Sequence, residues 1–317
     1  MAKRRMGIIL FLFCFCLCLI PGYAQAASTA DAAEPIVTAN SCTLTLAYSC
    51  DGKILPSVSV TLHRVADVSA DFQYALVSDF QNSGVQLNGV GSASQWNDIR
   101  TTLESHILAE QIAPEWAGVT DADGQIRFDS LKPGLYLAAA AAASLDDTRC
   151  VFDSALIALP GLGEDGLWQY EVKVSPKPQL IPPTEAQIQW KVLKLWKGDE
   201  NKASRPESIE VEIFRDGIST QIVTLSEENH WGYSWTTEDD GARWMAVERN
   251  IPEGYTVAVE ERGSTFVLIN TMETEEIPST DTPKTGDTHN LMLYLILMFV
   301  SGFMMILLGL SLKRKRL

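Results

Sequence analysis

Histidine is scarce in this 317-residue chain: only His63, His106, His230 and His289 occur. None of them sits in a recognisable nucleophile, metal or phosphate motif. That shortage argues against an enzyme, and no cofactor or metal is expected. Positive charge is short as well, with 25 Lys and Arg against 40 Asp and Glu. Without residues 1–26 and everything after Thr285, the remaining 259 residues hold 18 basic and 39 acidic side chains, a net charge of −21. Such a surface repels nucleic acid and anionic lipid, so no nucleic-acid partner is expected. Cysteine is limited to six, and Cys14, Cys16 and Cys18 fall inside the first apolar run.

Long apolar runs are confined to the two ends. Lys3, Arg4 and Arg5 precede an apolar run at 7–20, and Ala24-Gln25-Ala26 follows. This is the order of a secretory signal peptide, predicted to be cut after Ala26. An uncleaved anchor is the alternative, but the run is short for a span. No small-residue lipobox precedes the three cysteines, which argues against a lipoprotein. At the other end, 291–312 is long and apolar enough to cross a bilayer as a helix. Lys313, Arg314, Lys315 and Arg316 would hold its tail in the cytoplasm. The body is therefore expected outside the cell.

Three cysteines remain between the ends. In an extended strand Cys42, Leu44, Leu46, Tyr48 and Cys50 share one face. Eight extended residues set the thiols of Cys42 and Cys50 roughly 26 Å apart, too far to pair. A disulfide must join Cys150 to Cys42 or to Cys50; three reduced, buried thiols are the alternative. Most of 41–177 alternates as strands do, at 42–50, 58–65, 125–128, 134–139 and 150–159, with turns such as Asp51-Gly52 and Asp123-Gly124 between. Trp96, Ile99, Leu103 and Ile107 instead recur at helical spacing between Ser94 and Ile112. His63 is placed on the outward face of its strand.

The predicted organisation is a signal peptide at 1–26, a disordered leader at 27–40 and a β-sandwich with a helical insertion at 41–177. A Pro-rich linker at 178–186 leads to a second β-sandwich at 187–271. A polar stalk at 272–285 and a transmembrane tail at 286–317 complete the chain. The fold class is thus all-β, two Ig-like sandwiches in tandem.

In the second module, alternation places Lys194 on one face with Ile188, Trp190, Val192 and Trp196. Glu248 shares a face with Trp244 and Ala246, and Asn270 with Phe266 and Leu268. Three polar groups on three apolar faces need partners. A buried ion pair with Asn270 bonded beside it is one solution, and a Lys194 that snorkels to the edge is another. A third is covalent. Burial favours a neutral Lys194 amine and a protonated Glu248, which would polarise the Asn270 carboxamide and promote an isopeptide bond in one event without turnover.

Residues 187–271 also resemble the collagen-adhesin B-type domain of Gram-positive surface proteins, whose architecture is prealbumin-like. Val192-Leu193-Lys194-Leu195-Trp196, Arg205-Pro206-Glu207-Ser208-Ile209, Trp231-Gly232-Tyr233-Ser234-Trp235, Pro252-Glu253-Gly254-Tyr255 and Ile269-Asn270-Thr271 carry the likeness. The resemblance implies an isopeptide site of Lys194, Asn270 and the promoting Glu248.

Residues 120–137 look like a hairpin of the pilin-type relative of that fold, although the first module has neither the lysine nor the glutamate of the isopeptide pattern. Asp121 and Asp123 beside Gly124 read as a turn rather than a calcium site. Trp168, Val172, Val174, Pro176 and Lys177 match the pilin motif in spacing, with Ser175 and Pro178 as departures. This implies that Lys177 is either a polymerisation lysine or an ordinary linker lysine. Thr282-Pro283-Lys284-Thr285-Gly286 before an apolar span and a basic tail resembles a sortase signal, with Thr282 where the commonest form has Leu. A sortase would attack the Thr285 carbonyl, and peptidoglycan precursor or another pilin subunit would supply the amine.

The expected protein is a wall-anchored structural or adhesive surface protein, a pilus subunit or a monomeric anchor, for which a host or extracellular-matrix ligand is conceivable. A membrane-retained receptor that escapes the sortase is the alternative.

Overall fold

Inward apolar and outward polar residues alternate through the first strands and build a sandwich. The structure, a computed structural model, describes residues 34–145, 148–182, 184–198 and 205–272. The predicted signal peptide, most of the stalk, the sorting motif and the transmembrane tail lie outside the described residues.

The first module begins with β1 (Cys42–Ala47), the short pair β2 (Ser49–Cys50) and β3 (Lys53–Ile54), β4 (Ser59–Val68) and β5 (Tyr74–Leu76). Helix α1 (Ala93–Glu110) precedes β6 (Trp116–Val119), β7 (Gln125–Leu131), β8 (Gly134–Ala140) and β9 (Ala143–Leu145). Then come β10 (Thr148–Phe152), β11 (Ala155–Leu159), β12 (Gly161–Leu162), β13 (Trp168–Gln169), β14 (Glu171–Val174) and β15 (Pro178–Ile181). One sheet runs β14-β1-β7; the facing sheet runs β11-β8-β4-β5, with β6 also on β4. Cys42, Leu44 and Leu46 fill the space against Val60, Leu62 and Tyr136.

The other face of the β4–β8 sheet is covered too. Leu103 of α1, with Phe80, Val85 and Leu87, packs against Val65, Leu135 and Leu137. A bulge between Arg64 and Ala66 accompanies this second core. Gly134 is required there, because a Cβ on it would stand 2.3 Å from the Ala66 carbonyl oxygen. His63 is consequently not outward in the sense of exposed: it is 7% accessible. Strand alternation does not reveal that a helix covers its second face.

Helix α1 starts where its chemistry dictates. Ser92 accepts a hydrogen bond from the Gln95 backbone at 3.2 Å, and the Gln95 side chain accepts from the Ser92 backbone at 3.1 Å. This capping box satisfies two of the amides that the first turn leaves without partners.

Three sequence boundaries move. The stretch 150–159 is two strands, β10 and β11, in different sheets, broken at Asp153-Ser154. Ser154 turns in to donate to Glu104 of α1. Within the leader, Ile36 is 2% accessible, and the Val37 amide donates to the Tyr170 hydroxyl at 2.8 Å. Residues 34–40 therefore belong to the first module, because an isoleucine gains more by burial than a tail of small residues would. The linker 178–186 opens as β15, paired antiparallel with β10 from Phe152–Pro178 to Arg149–Ile181. Pro178 is tolerated because it is the first residue of that strand.

The second module comprises β16 (Gln187–Lys197), β17 (Ser208–Arg215), β18 (Ile218–Ser226), β19 (Gly232–Glu238), β20 (Trp244–Glu248), β21 (Tyr255–Arg262) and β22 (Thr265–Met272). Its sheets run β19-β16-β22-β21 and β18-β17-β20. The wiring repeats that of the first module. Each first strand pairs parallel with the module's closing strand, β1 with β14 and β16 with β22. Each also pairs antiparallel with an intermediate strand, β7 or β19. Two tandem β-sandwiches result, the first with a helical layer.

Helix α1 joins them. Its apolar stripe faces the first module, while Thr101, Thr102, Glu104 and Ser105 are buried as well. The Thr102 hydroxyl accepts from the Val259 amide of β21 at 2.9 Å. Glu104 pairs with Arg243 of the second module and accepts from Arg100 at 3.1 Å. Arg149 pairs with Asp216 at 2.7 Å across the same boundary.

Candidate functional site

Strand β16 turns Val192 and Lys194 into the second core and leaves Lys191 and Leu195 outside. Lys194 is 4%, Glu248 3% and Asn270 0% accessible. Lys194 and Asn270 stand on neighbouring parallel strands, in a register that sets Lys194 beside Leu268 and Trp196 beside Asn270. Glu248 comes from the opposed sheet, at the end of β20 beside Val211. The three polar groups therefore meet inside the sandwich, from both layers.

One carboxylate holds both nitrogens. Lys194 Nζ donates to Glu248 Oε2 at 2.8 Å, and Asn270 Nδ2 donates to Glu248 Oε1 at 2.8 Å. Asn270 Oδ1, although buried, accepts no hydrogen bond among the described residues. Such an orphaned acceptor costs about 1–3 kcal/mol. A half-turn of the carboxamide would bring Oδ1 to Glu248, where a protonated carboxyl can donate to it.

Aromatic side chains close the site. Lys194 Nζ lies 4.6 Å from the centroid of the Trp196 ring. Trp196 meets Trp231 and Tyr255 edge-on, at 5.3 and 5.2 Å. Burial lowers the Lys194 pKa to about 8, against the opposing pull of the Glu248 charge and hydrogen bond. A neutral amine is thus far more accessible here than on a free lysine. An amine, a carboxyl and a carboxamide buried together can form an amide and release ammonia.

The other residues singled out in the sequence are dispersed. Lys177 is exposed, in the short segment between β14 and β15. Cys50 is bonded to Cys150, and Cys42 is buried and free. Asp121 Oδ1 accepts from the Asp123 and Gln125 amides at 2.9 and 2.8 Å, so its carboxylate shapes the hairpin turn. Thr282, Pro283, Lys284, Thr285 and Gly286 lie outside the described residues. The cluster of Glu104, Ser154 and Arg243 was not legible: Glu104 and Arg243 are 139 residues apart, and no motif links them. The only signal was a helix with Thr and Glu interleaved among its apolar positions.

Residues 190–271 match the family model of the Cna protein B-type domain. The collagen adhesin of Staphylococcus aureus is 30% identical over 103 residues, 30% of this chain and 9% of that protein. The chain thus spans a small part of the relative's length. Among solved structures, a single B repeat unit of the collagen-binding surface protein of S. aureus is similar at 15% identity, with 74% of this chain and 99% of that one covered and a TM-score of 0.26. The full-length major pilin SpaD from Corynebacterium diphtheriae is similar at 15% identity, with 74% and 65% covered and a TM-score of 0.29. Scores this low carry no geometric argument. The sequence match over 190–271 encloses Lys194, Glu248 and Asn270.

Proposed function

We propose that the chain is a structural surface protein of a Gram-positive cell, a pilus subunit held in the wall by a sortase, and that its second module locks itself with a Lys194–Asn270 isopeptide bond. The observation that carries the bond is the Glu248 carboxyl, which accepts from both reacting side chains in a buried site. Neutral Nζ attacks Asn270 Cγ while protonated Glu248 hydrogen-bonds the carboxamide oxygen. The new C–N bond forms, the Cγ–Nδ2 bond breaks, and Glu248 relays the amine proton to the departing group, which leaves as ammonia. The site reacts once, in keeping with a structural rather than an enzymatic role.

The location rests on the signal peptide and sorting signal expected from the sequence and on the surface proteins to which residues 190–271 are similar. Exposure of Lys177 beyond the last paired residue of β14 supports its use as an acceptor amine. With its disulfide reduced, the purified chain should weigh one ammonia less than its sequence requires after signal removal. Glu248→Ala should restore the full calculated mass; a full mass in the unsubstituted protein would refute the bond.

A further inference from the structure

The His63 face of β4 is not closed by α1 alone. A cavity of about 640 Å³ lies between the β4–β8 sheet, the last turns of α1 and the second module. Thr61, His63, Leu137 and Ala139 form its floor, and Ile107 and Met245 stand at its walls. Thr61 pairs with Ala139 and His63 with Leu137 across the two strands, so these four side chains share one face. The volume falls in the range of small-molecule sites, about 300–1,000 Å³.

Two features define what would fit. His63 is 7% accessible and borders the cavity, and among the described residues its ring makes no hydrogen bond. Burial lowers its pKa, so the ring is neutral, with one donor and one acceptor nitrogen. The charged residues of the rim are already matched: Glu104 holds Arg243, and Asp216 holds Arg149. The four charged residues that line the cavity sum to zero, and the rest of the lining is mostly apolar.

We propose that this inter-module cavity binds an uncharged, largely apolar small molecule whose single hydroxyl pairs with His63. A hydroxyl both donates and accepts, so it satisfies the ring in either tautomer, whereas a charged group would pay for desolvation without a partner.

The test uses the purified full chain and three probes of one shape: p-cresol, toluene and 4-methylbenzoate. Calorimetry should show saturable one-site binding of p-cresol, with toluene and 4-methylbenzoate weaker by about tenfold or more. His63→Leu should reduce p-cresol to the affinity of toluene and leave toluene unchanged. Ala139→Phe should remove binding of both by filling the floor. Absence of saturable p-cresol binding, equal affinities for p-cresol and toluene, or indifference to His63→Leu would each overturn the proposal. The comparison of probes on the unsubstituted chain decides the matter even if Ala139→Phe fails to fold.

Discussion

Lys194 shows how burial changes the acid–base character of an ordinary residue. Its pKa falls from 10.5 to about 8 because the charged form loses its water, and Glu248 only partly restores it. In Asn270→Ala no cross-link can form, and Lys194 still titrates. The unfolded chain then binds more protons than the folded one between pH 8 and 10.5. Stability of that variant should therefore rise with pH across this window, and the penalty should be complete below about 8. In the cross-linked protein Lys194 is an amide and this contribution is gone. Denaturant unfolding of both proteins across the window should show the rise in the variant relative to the parent. Parallel profiles would contradict the account, because the parent would then carry no cross-link or burial would leave Lys194 unshifted in the variant.

At the scale of elements, covalent and polar ties replace what short strands cannot supply. The Cys50–Cys150 bond closes a loop of 100 residues and fastens β2 to β10. Loop-closure entropy for that length corresponds to about 4–5 kcal/mol. Cys50→Ser should lose stability of that order in urea, whereas Cys42→Ser should lose far less, since Cys42 is a lone buried thiol. Equal losses would mean that the bond contributes nothing beyond core packing.

Strand alternation made this level largely legible. It set Cys42, Leu44 and Leu46 on one face, which the fold turns inward, and it found Lys194, Glu248 and Asn270 on apolar faces. It erred at His63, because a period of two reports only that a side chain points away from one sheet. Whether a helix lies beyond is a matter of long-range packing. The break at Ser154 was hidden for the same reason, since its partner Glu104 is 50 residues away. Ile36 looked like part of a tail because a single isoleucine has no period.

At the scale of the molecule, α1 makes the two sandwiches one body. The Thr102–Val259 hydrogen bond crosses the module boundary at a buried position, where a neutral bond is worth about 0.5–1.5 kcal/mol, and the Glu104–Arg243 pair crosses beside it with Arg243 partly exposed. Arg243→Ala combined with Thr102→Val should loosen the pair. Small-angle scattering should then show a larger radius of gyration, with each module's circular dichroism unchanged. An unchanged radius would assign the rigidity to β15 and the short connection instead. On the proposed reading, tension between Lys177 and the sorting signal would run through the second module, where a Lys194–Asn270 bond would bear it. Wall extracts probed by immunoblot should show a high-mass ladder that Lys177→Ala removes. A single band in both strains would mark a monomeric anchor.

The central claim is that Lys194 and Asn270 are one covalent unit. Protease digestion followed by peptide sequencing in the mass spectrometer locates such a bond. A branched peptide that joins the Lys194 side chain to the Asn270 side chain, short of one ammonia, is the predicted result. Recovery of the two peptides as separate linear species at full mass would contradict it.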